Sequence, residues 1–245
     1  MRKLFLGLGL AVAFMGPAVA EEVNVAVAAN FAAVAEALGK AFKAETGHDV
    51  VLSAGATGAL YTQITQGAPF QIFFSADNKR PAQAVTEGFG VDGTVATYAI
   101  GKLVLFSPSV DVTDGAAVLK AGDFQHIAIA DPKTAPYGAA AVKAMETLGV
   151  DLTAKLVTGE NITQTLQFVE SGNAELGFVA LSQVIGKTDG HQWLVPSDLY
   201  SPIIQDVVLL KTGETSEAAK AFLAFVQSDA GKAIIEKYGY ATNDG

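Results

Sequence analysis

Cysteine is absent from the 245 residues of this sequence. Its absence excludes disulfide bonds, a thiolate nucleophile and cysteine metal ligands. Half of the residues are apolar and 17% are charged, so a chain of this length can bury one large or two modest cores without a covalent cross-link.

Long apolar runs are also scarce. The apolar run at residues 4–15 is shorter than the roughly 18 residues that a membrane-spanning helix needs, and no later segment offers an uninterrupted apolar run of that length. The run at residues 4–15 follows Arg2 and Lys3 and precedes Ala18-Val19-Ala20, which is the pattern of a secretory signal peptide. We predict that residues 1–20 are this peptide, cleaved after Ala20, and that the mature chain is periplasmic and does not insert into a membrane.

Basic residues are few. Without residues 1–20 the chain has 14 basic and 25 acidic residues, a formal net charge of −11, and one arginine, Arg80. This charge repels nucleic acids and anionic membranes, so we expect no nucleic-acid partner. One arginine cannot form an arginine cluster around a phosphate. An anionic ligand must therefore be held by neutral donors.

The common catalytic and metal-binding motifs are missing or in the wrong context. Neither G-x-S-x-G nor H-E-x-x-H occurs. Residues 88–93 match G-x-G-x-x-G but precede a strand-like run, and Gly186-Lys187-Thr188 lacks the first glycine of a phosphate loop, so both are predicted as turns. The three histidines are far apart in the sequence, at positions 48, 126 and 191. We predict no catalysis, no cofactor and no direct protein ligand to a metal.

Short apolar runs alternate with segments of helical period, which predicts an α/β fold. The strand-like runs cover residues 23–28, 50–53, 70–75, 94–106, 127–130, 176–181 and 206–210. Between them, apolar residues at helical spacing predict helices around residues 31–42, 60–64, 141–148 and 162–169. Residues 216–238 are predicted as two helices that separate near Ser228-Asp229.

Two β-rich runs, residues 94–106 and 201–210, bracket a self-contained αβ segment. A chain that crosses twice between two lobes would give this pattern. We predict that lobe one consists of residues 21–100 with 207–245 and that lobe two consists of residues 101–206, with the ligand in the cleft between them. A single doubly wound domain is the alternative.

Four segments lead from a strand or loop directly into a helix through small or hydrogen-bonding residues. The first-turn N–H groups of a helix have no partner within it and carry partial positive charge, so such helix starts bind anions. Each segment alone could be an ordinary helix cap, but two of them fall in each predicted lobe. The segments are Ala28-Ala29-Asn30-Phe31, residues 53–58 ending in Ala56-Thr57-Gly58, Ala135-Pro136-Tyr137-Gly138 and Gly159-Glu160-Asn161-Ile162.

At these segments the sequence resembles the periplasmic molybdate-binding proteins, the solute receptors of molybdate ABC importers. The resemblance covers nearly the whole mature chain, and its most specific marker is Gly67-Ala68-Pro69 followed by Ser75-Ala76-Asp77. It implies a two-lobed, type II periplasmic-binding-protein fold, in which each lobe is a mixed sheet flanked by helices. It also implies a monomer that closes on molybdate or tungstate, a tetrahedral dianion, and delivers it to a membrane permease.

The resemblance also implies site residues. Asn30 stands where many members have a serine that contacts the oxyanion through its side chain and backbone, and Thr57 stands at a second hydroxyl position. Tyr137 and Ile162 match positions that donate a backbone N–H. Many members add a tyrosine hydroxyl from a strand of lobe two, where this chain has Ala180. Either the site has one donor fewer, or the Tyr137 hydroxyl replaces it.

Three other functions remain as alternatives. The same donors could bind sulfate or another small oxyanion, and an exported hydrolase belongs to a different class. Ferric-ion receptors share the architecture and commonly bind iron through paired tyrosines. Tyr238 and Tyr240 are close in sequence, but we assign them to the end of a helix and to packing in the C-terminal tail.

Overall fold

The computed structural model describes residues 20–242. The strands are β1 (Glu22–Ala28), β2 (Asp49–Gly55), β3 (Ile72–Phe74), β4 (Ala96–Gly101), β5 (Leu103–Ser107), β6 (Ile127–Ala130), β7 (Leu156–Gly159), β8 (Leu176–Ala180), β9 (His191–Leu194) and β10 (Ile203–Leu209). The helices are α1 (Ala32–Thr46), α2 (Thr57–Thr65), α3 (Lys79–Thr86), α4 (Gly115–Ala121), α5 (Pro136–Leu148), α6 (Ile162–Glu170), α7 (Leu181–Val184), α8 (Glu217–Gln227) and α9 (Asp229–Lys237).

The strands form two mixed, five-stranded sheets. The first has the order β2-β1-β3-β10-β4, in which β1 is parallel to both neighbours and β10 is antiparallel to both of its own. The second has the order β7-β6-β8-β5-β9, with β6 parallel to its neighbours and β5 antiparallel to its own. The predicted fold class, two mixed sheets flanked by helices, is confirmed.

Each sheet has its own core on both faces because successive strand residues point to opposite sides. In β1, Val23, Val25 and Val27 pack with apolar residues of α1 and α8. Ala26, on the other face, packs with residues of α2 and α3. In the second sheet, the two faces of β6 pack in the same way against α5 and against α6.

The chain changes sheet at Lys102 and again between residues 195 and 202. The predicted strand run 94–106 therefore divides into β4 in the first sheet and β5 in the second. We use lobe one and lobe two for the parts built on the first and second sheets. The predicted lobe boundaries, residues 21–100 with 207–245 for lobe one and 101–206 for lobe two, stay a prediction. Strand β10 lies in the first sheet along its whole length, which favours a second crossing before residue 203.

The C-terminal helices and the two predicted turns are confirmed. Ser228 ends α8, and its hydroxyl caps α9 by accepting from the N–H of Gly231 at 3.2 Å. Gly88 and Gly93 have positive φ in turns, and Gly186 lies in the turn after α7.

Five elements were not predicted: β7, β9, α3, α4 and α7. The polar residues of β9 (His191–Leu194) hide the apolar pattern by which a strand is recognised. Helix α3 begins with Lys79-Arg80-Pro81, which is typical of a loop, although proline is tolerated in the first turn of a helix. Residues 1–19 of the predicted signal peptide lie outside the described residues. Within residues 20–242, no helix combines the length and apolarity needed to cross a bilayer.

Candidate functional site

The four predicted segments meet at one point between the sheets. β1 leads through the short 3-10 turn Ala29–Phe31 into α1, and β2, the loop after β6, and β7 lead into α2, α5 and α6. The starts of these elements line a cavity of about 10 Å³, near the smallest space that holds a water molecule. The structure thus brings all four predicted site residues together: Asn30, Thr57, Tyr137 and Ile162.

The wall of this cavity is neutral. Apart from the four site residues and Asn161, its lining consists of residues with small or apolar side chains, namely Ala28, Ala29, Gly55, Ala56, Ala76, Ala135 and Pro136. None of these lining residues carries a charge. A ligand in this position would be close to backbone, and its charge would be balanced by N–H and O–H dipoles.

In lobe two, the local sequence leaves the predicted backbone donors uncapped. The Asn161 side chain accepts from the N–H groups of Thr163 and Gln164 at 2.9 and 3.1 Å, which leaves the N–H of Ile162 outside the cap. At α5, Ala135 provides no side-chain cap and Pro136 has no N–H. The N–H of Tyr137 is therefore the first donor of that helix.

In lobe one, Thr57 is buried and its hydroxyl oxygen accepts from the N–H of Ala76 at 3.0 Å. This is the hydroxyl's one hydrogen bond within residues 20–242. The bond fixes the oxygen beside the cavity while the hydroxyl proton can still be donated. The Ala56 side chain does not cap α2, so the N–H of Thr57 is also available.

The side chain of Asn30 is engaged away from the cavity. Its Nδ2 donates to Gln205 Oε1 at 2.8 Å and to Tyr240 Oη at 2.9 Å. Because an amide nitrogen has two protons, both are used by these bonds. The backbone N–H is the remaining donor of Asn30.

The hydroxyl of Tyr137 also bonds away from the cavity wall. It lies 3.5 Å from Gln205 Nε2, which donates to it. A Cβ on Gly101 would lie 2.1 Å from this hydroxyl, so only glycine leaves room for it there. Burial raises the pKa of Tyr137 well above its ordinary value, and the hydroxyl stays neutral. Ala180, at the predicted position of the family's tyrosine, is buried at the end of β8.

Two residues beside the site were not predicted from the sequence, Gln205 and Tyr240. Tyr240 packs against Phe31 in the core, as predicted, but its buried hydroxyl also contacts the Asn30 carbonyl oxygen at 2.8 Å and Ser182 Oγ at 2.9 Å, which was not predicted. The one local signal for Gln205 is the polar pair Gln205-Asp206 inside an otherwise apolar strand.

Direct hydrogen bonds join the lobes around the cavity. The N–H of Gly58 donates to the Thr134 carbonyl oxygen at 2.9 Å, and Ser182 Oγ donates to the Asn30 carbonyl oxygen at 2.9 Å. The two lobes are therefore in direct contact at two places next to the site.

A larger cleft of about 510 Å³ lies next to the cavity and shares Ala76, Ala135 and Pro136 with it. Four cationic side chains line this cleft, those of Lys79, Arg80, Lys133 and Lys143, whereas Asp77 is its one acidic lining residue. Asp77 forms an ion pair with Arg80. Arg80 thus lines the cleft and is not among the residues that line the small cavity.

The described part of the chain contains no group of three or more histidine, aspartate or glutamate side chains that could hold a metal ion. The donors at the cavity are backbone N–H groups and a hydroxyl, which suit an anion.

Comparison with known proteins gives consistent matches. A family model described as bacterial extracellular solute-binding protein matches residues 23–241. The molybdate-binding protein ModA of Rhodobacter capsulatus is 55% identical over 242 residues, 98% of this chain and 94% of that protein. ModA of Azotobacter vinelandii is 50% identical over 227 residues, 90% of either chain. A solved structure of a periplasmic molybdate-binding protein from Azotobacter vinelandii matches with a TM-score of 0.86 at 38% identity, covering 90% of this chain and 99% of that one.

Proposed function

Since this chain belongs to the bacterial extracellular solute-binding proteins, we propose that it is a periplasmic receptor that binds molybdate and delivers it to the permease of an ABC importer. Two relatives that share half or more of their residues with it are named as molybdate-binding proteins. Both matches extend over at least nine-tenths of the chain.

One observation carries the proposal: helix and turn starts from both lobes converge on one cavity whose lining has no charged side chain. Lobe one contributes the N–H of Asn30 and the N–H and O–H of Thr57. Lobe two contributes the N–H groups of Tyr137 and Ile162. Converging neutral donors and helix starts offset the desolvation of a dianion, whereas a carboxylate in the site would repel it.

Binding works through closure of the lobes. In an open form, an anion can contact the donors of only one lobe. In the closed form it contacts the donors of both lobes, so anion binding favours closure. The hydrogen bonds from Gly58 to Thr134 and from Ser182 to Asn30 then form beside the ligand. The metal atom of the anion contacts no side chain, because the donors meet only its oxygens.

The same geometry supports binding without catalysis. The cavity lining has no carboxylate, histidine or lysine to move a proton. Tungstate has the charge and nearly the shape of molybdate, so we propose it as a second ligand. We propose further that the receptor acts as a monomer and that export cleaves the chain after Ala20, which intact-mass measurement of the exported protein would check.

Calorimetric titration of the mature protein with molybdate, tungstate, sulfate and phosphate tests this function. We expect one molybdate or tungstate per chain and much weaker binding of the other two anions. Absence of heat with molybdate would overturn the proposal, and tighter binding of sulfate would establish the sulfate alternative. Incubation with generic ester and phosphate substrates tests the hydrolase alternative, and we expect no turnover.

A further inference from the structure

Gln205 is a fully buried polar residue at the point where the lobes meet. It lies in β10, immediately before a register irregularity in the pairing of β10 with β4. Its Oε1 accepts from Asn30 Nδ2 at 2.8 Å and from Tyr98 Oη at 3.1 Å. Its Nε2 donates to Tyr137 Oη at 3.5 Å.

Two of these partners are site residues, and they belong to different lobes. Asn30 precedes α1 of lobe one, whereas Tyr137 lies in the first turn of α5 of lobe two. The contact between Gln205 and Tyr137 depends on Gly101, where a Cβ would lie 2.8 Å from Gln205 Nε2 and 2.1 Å from the Tyr137 hydroxyl. One amide therefore reaches the donor segments of both lobes next to the first crossing between sheets.

We propose that Gln205 is a positioning residue for anion binding, which holds the Asn30 and Tyr137 segments together in the closed form. The inference rests on the proposed function of the site. Gln205 does not line the cavity, so it would act on the ligand through Asn30 and Tyr137, the two of its three partners that do. By accepting from the Asn30 side chain it fixes the turn that presents the Asn30 N–H, and by donating to Tyr137 it ties the start of α5 to lobe one.

An amide suits this task because it both donates and accepts while remaining neutral. A glutamate would accept from Asn30 but, when ionised, would place a negative charge beside the dianion site and lose the donor to Tyr137. A methionine of similar length would fill the space but would leave the Asn30 amide short of one acceptor, whereas the Tyr98 hydroxyl would keep the Ser75 carbonyl oxygen at 3.0 Å.

The first test compares Gln205→Met with Gln71→Met by calorimetry and stopped-flow kinetics with molybdate. Gln71 is the control because its amide oxygen also accepts a hydrogen bond, from the backbone N–H of Asn24 at 2.9 Å, but the residue does not line the cavity. We expect Gln205→Met to raise Kd about tenfold or more, mainly through faster dissociation, and Gln71→Met to leave Kd unchanged. A Gln205→Met protein that melts earlier but binds molybdate with the wild-type Kd would overturn the proposal.

The second test begins with a variant that keeps Gln205, so its first measurement does not depend on whether Gln205→Met folds. Tyr137→Phe removes the hydroxyl that Gln205 contacts but keeps the backbone N–H that faces the cavity. We expect weaker binding, and a double variant with Gln205→Met that is no weaker than Gln205→Met alone. Wild-type Kd for Tyr137→Phe, or independent additive losses in the double variant, would overturn the link. Failure of wild-type protein to bind any oxyanion would instead overturn the proposed function.

Discussion

The backbone N–H of Gly58 donates to the carbonyl oxygen of Thr134 at 2.9 Å and joins the first turn of α2 to the loop that precedes α5. A Cβ on Gly58 would lie 3.1 Å from the Thr134 Cα and 2.9 Å from Arg80 Nη2. A methyl group at residue 58 would therefore crowd this contact between the lobes.

Gly58→Ala should weaken molybdate binding without changing any proposed donor. Crowding against the Thr134 backbone acts on the closed form and is expected to disfavour it by about 1 kcal/mol, or roughly fivefold in Kd. The unliganded protein should be no less stable, because alanine is the better helix former. Calorimetry and thermal melts check both expectations, with Gly186→Ala, which has open space around its Cβ, as the control. Unchanged Kd would show that the Gly58 contact is not needed for binding.

Thr57→Ala should weaken oxyanion binding by about 1.5–3 kcal/mol, the range for a hydrogen bond to a charged group. The backbone N–H remains, so binding should persist. The unliganded protein should lose about 0.5–1.5 kcal/mol of stability, because the N–H of Ala76 loses its acceptor. Thr57→Ser should retain binding, and Thr62→Ala, on the exposed side of the same helix, should not affect it. Wild-type affinity in Thr57→Ala would mean that Thr57 has only a structural role.

Sulfate should bind about a hundredfold or more weakly than molybdate. The bonds of sulfate are shorter than those of molybdate, so its oxygens lie nearer the central atom. They cannot all come within about 2.9 Å of the donor atoms on both lobes. Each unpaired buried donor costs about 1–3 kcal/mol. Tungstate, which matches molybdate in size, should compete with it about equally. Competition calorimetry measures the affinities of sulfate and tungstate relative to molybdate. If sulfate bound as tightly as molybdate, the cavity would not select its ligand by size.

The cations of the large cleft should speed the arrival of the anion at a protein whose net charge is negative. Replacement of Lys79, Lys133 and Lys143 by glutamine should lower the association rate about tenfold at low salt and leave the dissociation rate unchanged. The difference should nearly vanish at about 1 M salt. A control triple variant at Lys40, Lys120 and Lys237, which are exposed and outside the cleft, removes the same charge. Equal rates for both variants in stopped-flow experiments would show that the location of the charge does not matter.

Asp206→Asn should stabilise the protein at neutral pH. Burial raises the pKa of Asp206 even though Thr97 donates a 2.7 Å hydrogen bond to it, and the Asp77 carboxylate adds to the rise. Because the pKa is raised in the folded state, the folded protein binds the proton of Asp206 more tightly than the unfolded chain does. Protonation therefore stabilises the folded state at low pH, and this stabilisation is lost as pH rises through the folded pKa. The advantage of the asparagine variant should therefore shrink as pH falls toward the ordinary range of aspartate. Thermal melts between pH 4 and pH 8, with the exposed Asp198→Asn as control, should reveal this trend, and a pH-independent difference would contradict it.

The elements that could be predicted have local signals. The apolar run 23–28 matches β1, and Ser228-Asp229 separates α8 from α9 because a serine cap starts a new helix. The predicted lobe boundary falls after residue 100, but the division of the run 94–106 into two strands at Lys102 was not predicted, because the residues on both sides have the same strand pattern although they join different sheets.

The same distinction applies to the site. The starts of α2, α5 and α6 could be predicted because the residues that mark them, small residues before α2 and α5 and Asn161 before α6, are neighbours in the sequence. Gln205 and Tyr240 bond to Asn30 across 175 and 210 residues of sequence, and no local pattern specifies such pairs.

The strand order of the first sheet also determines when that sheet can be completed during synthesis and export. β3 consists of Ile72-Phe73-Phe74, all buried, and it pairs with β1 on one side and β10 on the other. β10 begins only at Ile203, so a chain that emerges from its N-terminus exposes one edge of β3 until almost all of lobe two has followed. An open, apolar strand edge favours aggregation. Lobe two, which is continuous in sequence, can complete its sheet first, whereas one edge of β3 stays unpaired until β10 is available.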